Sequence, residues 1–398
     1  MGHRYSTGGR IKDGYWWREW RVLASGRYFP NWWVQSFEFS TLGGWVATRA
    51  AGHFATGPTH IDDLVTSVRV ITPSGKPIET RHVPSSGAGP SENAIFVGSE
   101  GTLGIITQAW VSVRPLPKHR ASATVSFDAN GSFVEASYVL RAMLHTGIKP
   151  ANCRLVQRGE ALTSGLGDGD ADVLILGFES ADLSAAAELE RALRLCHAHG
   201  GQVTSQAHSA SADGVSGEGA VEAARRRNAG EESWRRQFID APYLRDAIVR
   251  AGYIAETFET CCTWRNWPRM HAAVVQAVEA ALRAHCAAGR ITCRITHCYP
   301  EGPAPYYTVL AAPGSHGDRL AQWDAVKAAA SEAILAGGGT ASHHHAVGKM
   351  HRPWYALEVS DRYDALLRAL KAELDPRGIM NPGVLITSDR YPSAHARL

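Results

Sequence analysis

A change of period near residue 120 constrains this chain most. From Phe37 to about Pro117 apolar and polar residues alternate, as in LVTSVRVITPSG (Leu64 to Gly75) and AWVSVRPL (Ala109 to Leu116). Pro-Ser-Gly and Gly-Ser-Glu-Gly turns punctuate the run. Period-two alternation predicts short strands and hairpins, hence one β-rich unit. Beyond it the strand-like runs ATVSF (Ala123 to Phe127), CRLVQR and VLILGFES alternate with amphipathic helical ones such as SFVEASYVLRAMLHTG. Leu189, Leu193 and Cys196 share one helical face, and Gly200-Gly201 stops that helix. Strands and helices in alternation predict an α+β fold with a layered second domain. A further helix is expected at about His271 to Ala287, a strand pair around ITCRITHCYPEG and APYYTVLAAP, and a helix from about Asp318 to Leu335. The Gly/Ser/Ala-rich stretch from His208 to Glu232 reads as a surface loop. Leu366, Leu370 and Leu374 predict a closing helix that ends at Asp375-Pro376. The expected parts are 1–120, 121–338 and 339–398.

Composition excludes several function classes. With 41 Lys+Arg against 38 Asp+Glu and no run of five like charges, nothing favours a nucleic-acid surface. No stretch approaches the roughly 18 apolar residues that span a bilayer, and the N-terminus does not read as a signal peptide, so a cytoplasmic chain is expected. Seven cysteines without CxxC spacing read as reduced thiols with no metal role. Six of the 12 tryptophans fall within the first 45 residues, where Trp16 to Trp33 follow no regular period.

Several motifs could carry chemistry. In SFEFSTLGGWVATRAAG (Ser36 to Gly52), the hydroxyls of Ser40, Thr41 and Thr48 stand beside Gly43, Gly44 and Arg49. Bare backbone, hydroxyl donors and a cation suit a phosphate or a ring carbonyl, and equally a capped tight turn. GSEGTLG carries Gly98, Gly101 and Gly104 and matches neither G-x-G-x-x-G nor GK[ST]. A glycine hairpin and a main-chain cofactor wrap both fit it. His343, His344 and His345 are consecutive and cannot share one face of a helix or strand, so no metal site is expected from them alone. Acid/base groups, anion donors and buried structural histidines remain. Alternation should send one ring of Tyr306-Tyr307 into the core and the other outward. Arg154 and Arg245 read on pattern as surface or paired arginines.

QSFEFSTLGGWVATRAAGH, DDLVTSVRVITPSG, FVGSEGTLGIITQA, ETFETC and GGGTASHHHAVGK, in this order, resemble the alkylglycerone-phosphate synthase family. That family lies within the vanillyl-alcohol-oxidase class of flavoproteins, with a PCMH-type FAD domain. The resemblance runs from about Phe29 to Leu385. It implies an FAD-binding part at 1–120, a cap or substrate domain at 121–338, and a C-terminal segment that returns to the flavin. It also implies a glycine-rich pyrophosphate loop upstream of the FST-GGW segment. Only residues 1–34 precede Gln35 and none matches, so the N-terminal part of the FAD domain is expected to be missing. FAD contacts are implied at Gln35, Ser36, Phe37, Glu38, Phe39, Ser40 and Thr41; at Thr48, Arg49, Ala50 and Ala51; and at Gly98, Ser99, Glu100, Gly101, Thr102, Leu103 and Gly104. Arg245 falls on the family's phosphate-binding arginine and Tyr306 on its acid/base tyrosine. Arg154, His343, His344 and His345 fall on residues important for activity. The implied reaction replaces the acyl group of acyl-dihydroxyacetone phosphate by a long-chain alcohol, without net redox change, in ether lipid synthesis. The alternatives are an FAD-dependent D-2-hydroxyacid dehydrogenase or oxidase and an inactive truncated relative that does not bind FAD. A small lipid-like substrate is the expected partner. Peripheral membrane contact and a homodimer stay open.

Overall fold

A computed structural model describes residues 28–29 and 40–386, apart from 53–54, 58, 84, 116, 129–130, 211–239, 242 and 316–317. Gln35 to Phe39, and most of the glycine-rich stretch after His208, lie outside the described residues.

The short pair β1 (Tyr28–Phe29) and β5 (Arg114–Pro115) flanks a three-stranded antiparallel sheet. Its strands are β2 (Val65–Ile71), β3 (Pro77–Glu79) and β4 (Ile105–Val111), in the order β3-β2-β4. Helix α1 (Leu42–Thr48) starts where Thr41 caps it, its hydroxyl accepting from the Gly44 N–H at 3.1 Å. It stops at Arg49, in the left-handed region with φ 52°. Leu42, Trp45 and Val46 fall on one face and pack with Val68, Val70, Phe96 of α2 (Asn93–Phe96) and Leu103. Gly43 is required there, because a Cβ would stand 2.7 Å from the Ile106 carbonyl oxygen.

The second sheet has seven strands, antiparallel throughout. They are β6 (His119–Asp128), β7 (Asn152–Val156), β8 (Ala171–Ser180), β9 (Gly201–Ala210), β10 (Ile254–Glu259), β11 (Cys286–Cys298) and β12 (Pro303–Pro313). Their order is β10-β12-β11-β7-β8-β6-β9. Helices α3 (Phe133–His145), α5 (Ala186–Ala198), α6 (Trp267–His285) and α7 (Arg319–Ala336) pack with it in one large core. A Ser132–Glu135 capping box begins α3. In α6, Met270, Val274, Val278 and Leu282 recur every four residues and are buried as one stripe. Short α4 (Arg158–Thr163) joins a small cluster of Val156, Ala161, Val173 and Ile175.

The α+β architecture agrees with the reading of the sequence. Helix α6 begins at Trp267, earlier than its apolar pattern predicts, and runs without a loop into β11. After α8 (Arg352–Glu358), the closing helix α9 (Asp361–Leu374) ends where Asp375-Pro376 requires, and Leu370 and Leu374 pack on the first core. Leu366 is 64% exposed, a correction to the three-leucine stripe. No helix among the described residues is long and apolar enough to cross a membrane.

Candidate active site at the junction of the two sheets

Strand register builds the site. Tyr306 of β12 stands opposite Arg294 of β11 on one side and Glu259 of β10 on the other. Arg294 in turn stands opposite Val156 of β7, so Arg154, two residues earlier, shares their face. Tyr307, Cys293 and Phe258 form the next row and point into the helix-packed core. Tyr306, expected to face outward if its neighbour faced in, is buried as well. The reason is that the loop 339–351 covers that face of the sheet: the rings of His345 and His344 lie 5.2 Å and 6.2 Å from the Tyr306 ring.

The Arg294 guanidinium lies over the Tyr306 ring, 3.9 Å from its centroid, and pairs with Glu160. Burial pushes the Tyr306 phenol up, and the Arg294 cation works against that rise. Arg154 is fully buried, against its reading as a surface arginine, and its Nε donates to Asn152 Oδ1 at 3.2 Å. Desolvation first, then the nearby Arg294 charge, bring Arg154 down to about 9. The Arg294 cation makes negative charge at Tyr306 less unfavourable, and the Glu259 and Glu160 carboxylates make it more so.

His343, His344 and His345 belong to an irregular loop whose shape is set by Glu259. This carboxylate, 1% exposed, accepts the backbone N–H of all three residues at 2.9–3.0 Å and the Ser342 hydroxyl at 3.0 Å. Nδ1 of His344 lies 3.3 Å from its Oε2. Burial alone would raise Glu259, but the three imidazoles outweigh it and hold the carboxyl well below the usual range. Burial in turn lowers His343, His345, His297 and His60. His343 is the hub: its Nδ1 is 3.0 Å from His344 Nδ1, and its Nε2 is 2.8 Å from the Tyr299 hydroxyl and 3.1 Å from His60 Nε2. His297, at the end of β11, lies 5.3 Å from the His343 ring and 5.2 Å from the His344 ring.

The segments expected to hold the cofactor border this cluster. His60 forms an isolated bridge with Ala51, and the Gly52 carbonyl lies 3.3 Å from His297 Nε2. In the Gly98–Gly104 turn, the Glu100 carboxylate accepts the N–H groups of Val347 and Gly348 at 2.8 and 2.7 Å, tying it to the histidine loop. Gly98, Glu100 and Gly101 all have positive φ, and the missing Cβ of Gly101 faces open space. Bare backbone of this kind lets a flat ring or a phosphate approach closely, so the turn fits FAD. The hydroxyls expected to add donors are committed inside the fold. Ser40 accepts from the Trp45 indole, Thr41 caps α1, and Thr48 and Thr102 donate to carbonyl oxygens. Arg49 pairs with Asp62 at 2.7 Å. Ala50 and Leu103 are core residues, and Ser99 and Ala51 are buried with them.

The structure thus brings Tyr306, Arg154 and the three histidines together. It does not bring Arg245 to them: that residue is exposed on a helical stretch at 240–250, and no hydrogen bond or ion pair joins it to the cluster among the described residues. Glu259, Arg294, His297, Tyr299 and His60 were not foreseen. Glu259 lies inside the ETFETC segment, the one signal that could have marked it.

A family model described as FAD linked oxidases, C-terminal domain, matches residues 116–385. The chain is 29% identical over 382 residues to an alkyldihydroxyacetonephosphate synthase of Caenorhabditis elegans, covering 91% of this chain and 61% of that protein. It is 28% identical to the Dictyostelium discoideum protein of the same name, covering 88% and 57%. A solved alkyldihydroxyacetonephosphate synthase structure superposes with a TM-score of 0.69 at 22% identity, over 92% of this chain and 61% of that one. The chain therefore spans about three-fifths of the length of these relatives.

Proposed function

The chain belongs to the FAD linked oxidases, a family whose cofactor is FAD, and from that premise we propose that it exchanges the acyl group of acyl-dihydroxyacetone phosphate for a long-chain alcohol. The observation that carries this reading is Tyr306, buried between the Arg294 guanidinium and the rings of His344 and His345. As its phenolate, Tyr306 takes a proton from the carbon beside the substrate ketone and, as the phenol so formed, returns it. Arg294 favours the charge of that phenolate. FAD, when bound, supplies an electron-accepting ring that steadies negative charge on the substrate carbon. The ester C–O bond breaks with its electron pair leaving on the fatty carboxylate, the alcohol oxygen forms the new C–O bond, and the alcohol proton is released, so no net oxidation occurs. His345 and His344 close the site above Tyr306 and exclude water. Phosphate binding at Arg245 is part of the proposal and rests on the sequence resemblance alone.

The test is Tyr306→Phe in the FAD-loaded chain, assayed for transfer of a long-chain alcohol onto acyl-dihydroxyacetone phosphate. The expected loss is about 10²- to 10⁴-fold in kcat with flavin content unchanged. Normal turnover in the variant would end the assignment. Reduction of the flavin by lactate or glycolate under anaerobic conditions would instead establish a hydroxy-acid dehydrogenase.

A further inference from the structure

Two imidazoles of the loop after α7, His343 and His344, meet a third from a distant part of the chain, the buried His297 of β11. One ring nitrogen from each lies within 4.8 Å of the others. We propose that His297, His343 and His344 bind a divalent first-row transition ion of the zinc type, in a site at the junction of the loop and the seven-stranded sheet. This goes beyond the transfer reaction and does not rest on it.

The argument from three consecutive histidines fails on geometry, because adjacent side chains diverge. Two histidines of that run and one from a neighbouring strand can converge. A tetrahedral zinc ion with bonds of about 2.0–2.1 Å needs ligand nitrogens some 3.3 Å apart. The Nδ1 atoms of His343 and His344 already stand 3.0 Å apart. A ring nitrogen of His297 completes the set, within 4.8 Å of both.

Orientation of the ligands is built in. Glu259 grips the backbone N–H of both loop histidines, so the peptide that carries the two rings is held in place. Charge favours a cation as well. Among the described residues no Lys or Arg pairs with Glu259, whose ion-pair partners are His343, His344 and His345. A buried carboxylate thus stands beside a group of imidazole nitrogens. A set of imidazoles selects zinc, cobalt, nickel or copper over magnesium and calcium, which prefer oxygen. His60 and Tyr299 hold the other nitrogen of His343, Nε2, at 3.1 and 2.8 Å, which fixes the direction of that ring.

The full chain, with FAD present and stripped by a chelator, is titrated with zinc chloride in equilibrium dialysis and, in parallel, with cobalt chloride in the visible spectrometer. The expected result is one tightly held zinc per chain and intense cobalt d–d bands of a tetrahedral nitrogen site. His297→Asn should weaken zinc binding by no less than the ~10- to 100-fold that loss of an outer-shell partner costs. His285→Asn, an exposed histidine at the end of α6, should leave it unchanged. The cobalt spectrum of the unaltered chain stands even if His297→Asn fails to fold. No stoichiometric zinc, weak octahedral cobalt bands, or undiminished zinc binding in a folded His297→Asn chain would each overturn the proposal.

Discussion

Glu259 shows how much one side chain can determine. Its carboxylate satisfies three consecutive amides and a hydroxyl while almost wholly out of water. Removing a buried charged acceptor leaves its donors without partners, so Glu259→Ala should lower stability by about 3–5 kcal/mol, measured by denaturant unfolding. His271 gives a pH-dependent counterpart. Packed against Trp267 and Phe133 with Nδ1 3.1 Å from the Tyr307 hydroxyl, it is brought down to about 4 by burial. The unfolded chain regains the ordinary value near 6.5 and therefore binds more protons than the folded one between these values. His271 thus weighs against the fold as pH falls from about 6.5 to 4, by roughly 3 kcal/mol at the lower end. In His271→Gln the stability difference between pH 7 and pH 4.5 should shrink. The family resemblance singled out Tyr306, Arg154 and the histidine run, which pattern alone left ordinary, and the fold brings them together. Sequence reasoning missed Glu259, Arg294 and His297 because a cross-strand register or a distant loop creates their roles, and neither is written next to them.

At the level of elements, the turn between β11 and β12 is the tightest joint near the site. Tyr299 and Gly302 exchange backbone hydrogen bonds at 2.9 and 3.2 Å, and a Cβ on Gly302 would lie 1.7 Å from the Cys262 carbonyl oxygen. Gly302→Ala must push the backbone apart, at about 1–3 kcal/mol or more, visible as a lowered Tm. It should also shift Tyr299 away from His343, since both sit on this joint. Helix α6 offers a plainer test: Leu282→Ala, at the buried end of its stripe, should cost about 2–5 kcal/mol in the same assay. Strands β6, β7, β8, β11 and β12 and the closing helix were legible from period and from turn residues, whereas β9 and β10 were not. The start of α6 was not, because Trp267 and Pro268 precede the apolar repeat, and neither was the uninterrupted passage from α6 into β11.

Across the whole molecule, the C-terminal segment joins the two sheets. It hangs from Glu259 through the histidine loop, from Glu100 through Val347 and Gly348, and from the Thr102 carbonyl, which accepts from Lys371 at 2.7 Å. Leu370, Leu374 and Ile386 anchor its end in the first core. FAD bound against the Gly98–Gly104 turn should tighten the same junction, so saturating FAD should raise Tm, with about 2.7 kcal/mol of stabilisation at one hundred times Kd. Calorimetry with and without the cofactor measures this directly. The reach of the segment also governs timing. His60 meets His343 across 283 positions and Glu100 meets Gly348 across 248. At a synthesis rate of roughly 5–20 residues per second, His60 waits about 15 to 60 s for its partner to be made. The first sheet must persist as a nascent chain with half of the candidate site, which is among the last places to close, a birth order written in contact distance.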